Sequence, residues 1–186
     1  MPPGWNILND TSYTDGLGRV HVLGELYNNT ESNQQDVLVT ISFYNDQNLQ
    51  IAEEVTAPVV QVVPQGNQVP FSLETELRFS YVRYEVSVDG EMTGLQPRQD
   101  LEILNHTGDL GAPYRITGEI RNSGEALSTY AQVIATLYDG AGQVVGVGYD
   151  FLPAGSLGPG QTAPFEVIIE QPHEGIVSYA LMVLGF

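Results

Sequence analysis

Hydrophobic and polar residues alternate with a period of two along most of the chain. In the stretch 20–27, one parity holds apolar residues and glycine, and the other parity includes Glu25. Alternation of this kind is typical of a β-strand with one buried face, so we expect Glu25 to face solvent. The pattern recurs in the stretches 37–43, 71–77 and 81–88. Because no amphipathic helical pattern of convincing length is present, the sequence predicts an all-β, antiparallel fold.

The alternating pattern occurs twice, at an offset of 94 residues. Between Val20 and Glu76, ten of 57 positions are identical to the residue 94 places further on. The identities fall on glycines, turn residues and aromatic residues, where backbone geometry restricts the choice of side chain most. Each copy supplies six or seven short strands separated by turn residues, which is typical of an antiparallel β-sandwich. In the first copy we predict one continuous strand over 49–63.

Two tandem domains follow from this repeat. The segment 89–98 is polar and is interrupted by glycine and proline, as is typical of a domain boundary. We therefore expect a first sandwich at 1–90, a linker at 91–100 and a second sandwich at 101–186. Each sandwich has a size that can fold alone.

The charge balance restricts the choice of partner. Of 186 residues, 23 are acidic and six are basic, all six of them arginine, so the net charge is −17. Such a field repels phosphate backbones and anionic lipids, and we expect no nucleic-acid partner. No stretch reaches the ~18 apolar residues of a membrane span, so no membrane insertion is expected in this segment. Cysteine is absent, which excludes disulfides, thiolate zinc sites and cysteine nucleophiles.

Two glycines and two asparagines stand at matching positions of the two copies. Gly24 and Gly118 interrupt apolar strand faces, so we expect a large ring to pack against each bare backbone. The candidate rings are Tyr44, Tyr138 and Trp5. Asn28 and Asn122 end their strands in the inward phase, where a side-chain amide can pair with loop backbone groups. We interpret all four residues as structural.

Polar and acidic segments follow the first short strand of each copy. We expect loops at 9–15 and 105–109. Calcium takes about six to eight oxygen ligands from such groups. The first loop, with Asp10 and Asp15, is therefore a candidate Ca²⁺ site, and the alternative is a solvated turn. The three histidines lack paired spacing, which argues against a transition-metal centre, and we expect no resident cofactor.

The end of the third strand and the turn that follows form a motif that occurs once per copy. It comprises Phe43, Tyr44 and Asn45 in the first copy and Leu137, Tyr138 and Asp139 in the second. With the preceding Gly-Glu-x-x-Asn and the later Pro/Gly turn before a phenylalanine, it resembles the FxLYD domain, an immunoglobulin-like module of bacteria and archaea. The resemblance spans nearly the whole chain and implies two tandem immunoglobulin-like antiparallel β-sandwiches. It also implies an exported or surface-anchored protein without catalytic residues, whose signal or anchor lies outside this chain.

Three functions remain open at this point. The favoured hypothesis is a non-enzymatic, extracellular or cell-surface spacer or binding module, whose end loops and edge strands meet a protein or cell-surface ligand. The alternative is a carbohydrate-binding module in which exposed tyrosines of one sheet face stack on sugar rings, with Tyr27, Tyr81 and Tyr149 as candidates. An enzyme would be distinguished by a deep pocket with converging carboxylates.

Overall fold

The computed structural model describes residues 4–98, 100–109, 111, 113–127, 129–153, 155, 157–170 and 172–185. The all-β prediction is confirmed, because the described residues form antiparallel strands, turns and loops and contain no helix. The chain divides into two compact units, unit 1 at residues 1–95 and unit 2 at residues 96–186.

Unit 1 is built from two antiparallel sheets. Its strands are β1 (Gly4–Thr14), β2 (Val20–Asn29), β3 (Gln34–Tyr44), β4 (Gln50–Thr56), β5 (Val62–Val63), β6 (Gln68–Thr75) and β7 (Arg83–Met92). One sheet has the order β1-β2-β6, and in the other β3 pairs with β4, β5 and β7. Alternate residues of β2 and β3 fill the core, where Val22, Leu26, Ile41 and Phe43 are fully buried. This burial follows the period-two pattern of the sequence.

The prediction of one continuous strand over 49–63 is wrong. The structure places two strands there, β4 and the two-residue β5, with the segment 57–61 between them. Pro58 lies in this gap and forms only an isolated bridge to Phe71. Proline has no backbone N–H to donate to a ladder, which explains the interruption.

Unit 2 repeats this arrangement. Its strands are β8 (Leu101–Asp109), β9 (Tyr114–Asn122), β10 (Tyr130–Asp139), β11 (Val144–Pro153), β12 (Thr162–Ile169) and β13 (Ile176–Gly185). The sheets have the orders β12-β9-β8 and β11-β10-β13. Both sheets contribute to one core, in which Ile116, Ile120, Val133, Leu137 and Phe165 are buried together. The unit is therefore a two-layer sandwich.

Residues 9–14 and 105–109, which belong to the predicted loops 9–15 and 105–109, lie in strands. β1 continues to Thr14 and β8 to Asp109. Each first strand shifts register against its neighbour at a β-bulge, and in β1 the bulge residue Asn9 has a φ of 55°. The bulge absorbs extra residues without ending the ladder. The loop prediction is wrong because polar composition does not prevent pairing once a neighbouring strand supplies the register.

Glu25 is buried, contrary to the expectation that it faces solvent. Only 4% of its surface is exposed, and the Nδ2 amide of Asn9 donates a hydrogen bond to its carboxylate at 2.9 Å. Unit 2 has the same pair, in which Asn105 Nδ2 donates to Glu119 Oε2 at 3.2 Å. In both units the bulge brings an asparagine beside this glutamate, although Glu119, unlike Glu25, is exposed.

Part of the predicted linker 91–100 is bonded into the units. β7 extends to Met92, and Asn33 accepts from Thr93 N through its backbone carbonyl and donates to Leu95 O through its side chain. In unit 2, Arg98 N donates to Gly185 O at 2.8 Å. The linker prediction for 91–100 rests on composition, and composition does not indicate which backbone groups form hydrogen bonds.

Candidate functional site

A buried asparagine closes the same corner of each unit. Asn28 Nδ2 donates to Val63 O at 2.9 Å and to Ser32 O at 3.0 Å, while its Oδ1 accepts from Thr30 N. Asn28 is fully buried. All of its amide groups serve backbone atoms of adjacent loops, so this side chain has a structural role.

Asn122 makes the corresponding bonds 94 residues later. Its Nδ2 donates to Leu157 O and Glu125 O, and its Oδ1 accepts from Gly124 N and from Arg98 Nη2. Arg98 has no counterpart in the sequence of unit 1. Leu101 pairs with Asn122 as Trp5 pairs with Asn28, so the sequence position that corresponds to Arg98 is Pro2. The guanidinium also binds Asp100, which it holds at a lowered pKa through hydrogen bonding, the largest influence on that carboxyl.

The motif that ends at Asn45 and Asp139 shapes a hairpin turn. Asn45 Oδ1 accepts from the backbone N–H groups of residues 47 and 49, and Asp139 Oδ1 accepts from residues 141 and 143. Phe43 and Leu137, two residues earlier, are fully buried. The motif therefore combines a core anchor with a turn cap, and it carries no reactive group.

Tyr44 and Tyr138 lie between the core anchor and the turn cap, in the phase of the strand that points away from the core. The Tyr44 hydroxyl donates to Glu85 at 3.1 Å, and the Arg83 guanidinium lies 3.7 Å above the Tyr44 ring centroid. Tyr138 is partly buried.

Rings do pack on Gly24 and Gly118, but they are phenylalanine rings. A Cβ built on Gly24 would lie 2.8 Å from Phe71 Cε1, and one built on Gly118 would lie 2.6 Å from Phe165 Cζ. Each phenylalanine is the direct cross-strand partner of its glycine. The structure thus corrects the candidate rings Tyr44, Tyr138 and Trp5. The sequence held the signal, because both phenylalanines are identities of the repeat.

The candidate Ca²⁺ ligands Asp10 and Asp15 are engaged in separate networks. Asp10 accepts a hydrogen bond of 2.6 Å from the Tyr84 hydroxyl. Asp15 caps the turn after β1 and contacts Arg19 and His21. Burial, the largest influence, raises the pKa of Asp15, but hydrogen bonds from the turn backbone, His21 and Arg19 outweigh it and hold that pKa well below its usual range. Among the described residues, no three Asp, Glu, His or Cys side chains are grouped to hold a metal ion.

The enzyme hypothesis predicts a pocket with converging carboxylates, and unit 2 has an open depression that can be compared with this expectation. Its volume is about 380 Å³, and it is lined by Asn105, His106, Thr107, Thr117, Gly118 and Glu119. Glu119 is the one carboxylate of this lining, and it accepts from Asn105. The lining of this depression therefore does not contain the pair of carboxylates that is typical of glycoside hydrolysis.

The three tyrosines proposed for sugar stacking occupy different environments. Tyr27 is partly buried. Tyr81 donates to Ser12 Oγ at 3.0 Å and packs edge-on against Phe43. Tyr149 is 50% exposed. Tyr27 and Tyr81 belong to unit 1, and Tyr149 belongs to unit 2.

Tyr149 belongs to an apolar surface that we name the apolar face. This is the side of the β11-β10-β13 sheet that points away from the unit 2 core. Its members, placed by strand register, are Val147, Tyr149 and Phe151 on β11, Tyr130, Gln132, Ile134 and Thr136 on β10, and Ala180, Met182 and Leu184 on β13. No member carries a charge. Two large rings, Tyr149 and Phe151, are each 50% exposed at its β11 side.

The rings of the apolar face form a contiguous row. Phe151 lies 5.3 Å from Tyr149 at an interplanar angle of 67°, and 5.3 Å from Tyr130 at 83°. These are edge-to-face contacts, which aromatic pairs favour. Because neighbouring rings are nearly perpendicular, they do not form one flat platform.

Two paired rows on the outer side of the same sheet of unit 1 are more polar. They are Val55–Thr40–Ser87 and Glu53–Ser42–Glu85, and the matching rows of unit 2 are Tyr149–Ile134–Met182 and Val147–Thr136–Ala180. Two glutamates, two serines and a threonine of unit 1 are thus replaced by apolar residues or threonine in unit 2. Because unit 1 folds with polar residues in these rows, the fold does not require apolar residues there. The next row of unit 1 contains the exposed Leu38, where unit 2 has Gln132.

The edge strand beside the apolar face is bonded to the opposite sheet. The Asp150 carboxylate accepts from Phe151 N at 2.8 Å and from Glu166 N, on β12, at 3.0 Å. In unit 1 the equivalent Thr56 donates through Oγ1 to Ser72 O at 2.9 Å. A carboxylate placed on backbone donors of an edge strand hinders the addition of a further strand. The face of the sheet is therefore a better contact surface than this part of its edge.

Sequence reasoning missed the apolar face except for Tyr149. The signal lies in β13, where both parities of Ile176–Gly185 are largely apolar, whereas β7 (Arg83–Met92) alternates with polar residues. A strand that is apolar on both sides needs cover on both sides.

The sequence matches no family model, and it shows no significant similarity to a curated protein. Within the part of the chain that the structure describes, no helix has the length and apolar character needed to cross a membrane.

Proposed function

We propose that the chain is a non-enzymatic pair of immunoglobulin-like modules of the FxLYD type, which acts outside the cytoplasm and binds a protein through the apolar face of unit 2. The immunoglobulin-like type and the extracellular or cell-surface location rest on the resemblance of the motif at 43–45 and 137–139. The protein ligand rests on the surface chemistry described above.

The observation that carries the proposal is the difference between the two copies. Tyr149 and Ile134 stand where unit 1 has Val55 and Thr40. Unit 1 folds with polar residues at the matching positions of two rows, so the fold does not require apolar residues there, and aromatic side chains are enriched in protein interfaces. Tyr149 and Phe151 have the character of interface anchors.

A carbohydrate-binding module is the second candidate, and the exposed ring of Tyr149 favours it. Sugar binding also requires polar groups that pair with hydroxyls. The direct cross-strand neighbours of the two exposed rings are Ile134, which offers no hydrogen bond, and Gln132, which is only 2% exposed. The perpendicular arrangement of Tyr149 and Phe151 adds to the preference for a protein.

The test is a binding screen with matched variants. The immobilised full chain is exposed to a glycan array and to purified secreted and surface proteins of the source organism. The double variant Tyr149→Thr/Phe151→Thr removes the exposed rings and keeps β propensity, while Val55→Thr makes the equivalent change in unit 1. Loss of at least one aromatic anchor is expected to weaken a protein ligand by about tenfold or more.

The outcomes separate the candidates. A protein bound by wild type and Val55→Thr but lost by the double variant supports the proposal. A glycan with the same behaviour establishes the carbohydrate alternative. Binding that is equal for all three chains overturns the assignment of the apolar face. The location is tested separately by the coding sequence upstream of Met1, which is expected to encode an export signal or lipid anchor.

A further inference from the structure

We infer that the apolar face takes a basic amphipathic segment of its partner protein, with apolar residues on one side and Lys or Arg on its flanks, and not a second copy of this chain. This inference rests on the proposed function, because it uses the same surface. It adds the shape and the charge of the ligand.

The size of the apolar face fits a segment better than a globular surface. Its footprint in the sheet plane is about seven residues of β10 long, at about 3.4 Å each, and three strands wide, about 4.8 Å apart, or roughly 350 Å². Within it Gln132, Ile134, Thr136 and Leu184 are at most 5% exposed, so the surface that a partner can cover is smaller still. A stable protein pair buries about 800 Å² on each partner, so two copies joined through this face alone fall well short. A helix about 10 Å wide lies within the width of three strands.

The unit that carries the face is strongly negative. Unit 2 contains ten acidic residues and three arginines, a net charge of −7. Each of the three arginines has a carboxylate partner, in the pairs Arg98–Asp100, Arg115–Glu166 and Arg121–Glu102. The excess negative charge of the unit is therefore uncompensated, while the apolar face itself carries no charge. A partner with cationic flanks gains from this field, whereas a second copy of the chain meets repulsion.

The exposed parts of the face define where the apolar side of the partner docks. Ile134 and Leu184 are nearly buried, while Tyr149 and Phe151 remain half-exposed along β11. The two rings are therefore the groups that a partner can newly cover. Because Asp150 binds the backbone amides of Phe151 and Glu166, we place the segment across the face and not as an added strand at this edge.

The experiment uses three synthetic, fluorescently labelled peptides of about 18 residues, with the full chain as receptor. The first has Leu and Phe at the i, i+3, i+4, i+7 spacing and Lys elsewhere. The second replaces Lys by Glu, and the third has the composition of the first in scrambled order. Fluorescence anisotropy measures binding to wild type, to Tyr149→Thr/Phe151→Thr and to the unit 1 control Val55→Thr.

The expected result is binding of the first peptide, with at least about tenfold weaker binding of the other two. We expect a loss of about tenfold in the double variant, no change in Val55→Thr, and weaker binding as salt rises from low to high concentration. Equal binding of the first and scrambled peptides, or no binding of the first, overturns the inference.

Sedimentation velocity tests the competing occupant. The inference expects a monomer across the concentration range, and a dimer that disappears in Tyr149→Thr/Phe151→Thr overturns it in favour of a second copy.

The two proposals fail differently. If a protein ligand depends on the rings but the Lys and Glu peptides behave alike, the charge and shape of the ligand are wrong and the binding function stands. If nothing depends on the rings, the proposed function fails as well.

Discussion

The ring of Phe165 lies against the bare backbone of Gly118, its direct partner across the β9–β12 ladder. A Cβ at Gly118 would come within 2.6 Å of that ring and within 2.3 Å of the carbonyl oxygen of Asn105 at the bulge of β8. Phe71 and Gly24 repeat the arrangement in unit 1. One position thus receives a ring from one neighbouring strand and a bulge from the other, and only glycine leaves room for both.

Substitution Gly118→Val is expected to destabilise the chain by about 3 kcal/mol, because both contacts lie below van der Waals distance. Denaturant unfolding of the full chain measures the loss. The matched control is Gly140→Ala, since a Cβ at Gly140 meets nothing within 4 Å, and its stability should stay close to that of wild type. Equal midpoints for wild type and Gly118→Val would contradict the packing argument.

Substitution Asn122→Ala is expected to cost about 2–4 kcal/mol, because it removes the acceptor of Gly124 N and leaves the buried carbonyl of Leu157 with only the 3.4 Å bond from Leu127 N. Asn122→Asp should be similarly harmful, since a carboxylate cannot donate to Leu157 O. The control Asn105→Ala removes a single, exposed bond to Glu119. If a thermal melt shows that Asn122→Ala is as stable as this control, the structural role of the Asn122 side chain is refuted.

The turn cap at Asp139 is expected to tolerate asparagine and not alanine. Asn45 makes the same two bonds at the equivalent turn of unit 1, so Asp139→Asn should be nearly neutral. Asp139→Ala loses the side-chain acceptor for residues 141 and 143, at a cost of about 1 kcal/mol. Denaturant midpoints of the two variants decide the matter, and equal losses for both would contradict it.

Stability is expected to fall at alkaline pH in a way that depends on Tyr84. Burial, followed by the hydrogen bond to Asp10, raises the pKa of Tyr84 above its ordinary value of 10.0. A raised pKa in the folded state means that the stabilisation is complete below pH 10.0 and is lost as the pH rises beyond that value. Unfolding free energies should therefore decline as the pH rises above about 10, and a series of measurements between about pH 8 and pH 12 would show it.

The variant Tyr84→Phe isolates this contribution. It loses the hydrogen bond to Asp10, so it should be less stable at neutral pH and should decline less steeply above pH 10. Tyr149→Phe is the control, because the Tyr149 ring is half-exposed, and it should keep the slope of wild type. A Tyr84→Phe curve parallel to wild type would show that other groups cause the decline.

The sequence predicts well the features that depend on the alternation of residues within one strand, and the repeat shows that alternation twice. Alternation placed the inward residues of β3, including Ile41 and Phe43, which are fully buried. The inward phase of Asn28 and its place before a loop predict its backbone bonds, and the structure contains them. In each of these cases the position of the residue in its own strand decides which way its side chain points, even though one partner of Asn28, Val63, is 35 residues away.

The errors concern contacts set by register between strands distant in sequence. The ring over Gly24 comes from Phe71 because β2 and β6 pair at that register, and no local pattern fixes a register. The burial of Glu25 depends on a bulge 16 residues earlier that carries Asn9 over it. Polar composition at 9–15 indicated a loop, yet pairing to β2 outweighs composition.

The apolar face shows a further limit. Alternation identifies one buried side of a strand and assigns the other side to solvent by default. Ile134 is an apolar residue on the side that alternation assigns to solvent. Its place in an apolar surface becomes clear only when its cross-strand neighbours Tyr149 and Met182 are known. The chemistry of a sheet surface runs across strands, perpendicular to the direction in which a sequence is read.

Asp150 and Thr56 tie the outer strand of one layer to the outer strand of the other at equivalent corners of the two units. Where proteins are crowded at high density or linked in long arrays, an unpaired edge strand can pair with the edge of a neighbouring molecule and begin a fibril. A side-chain latch at that margin lets many copies stand close together while each remains a separate molecule.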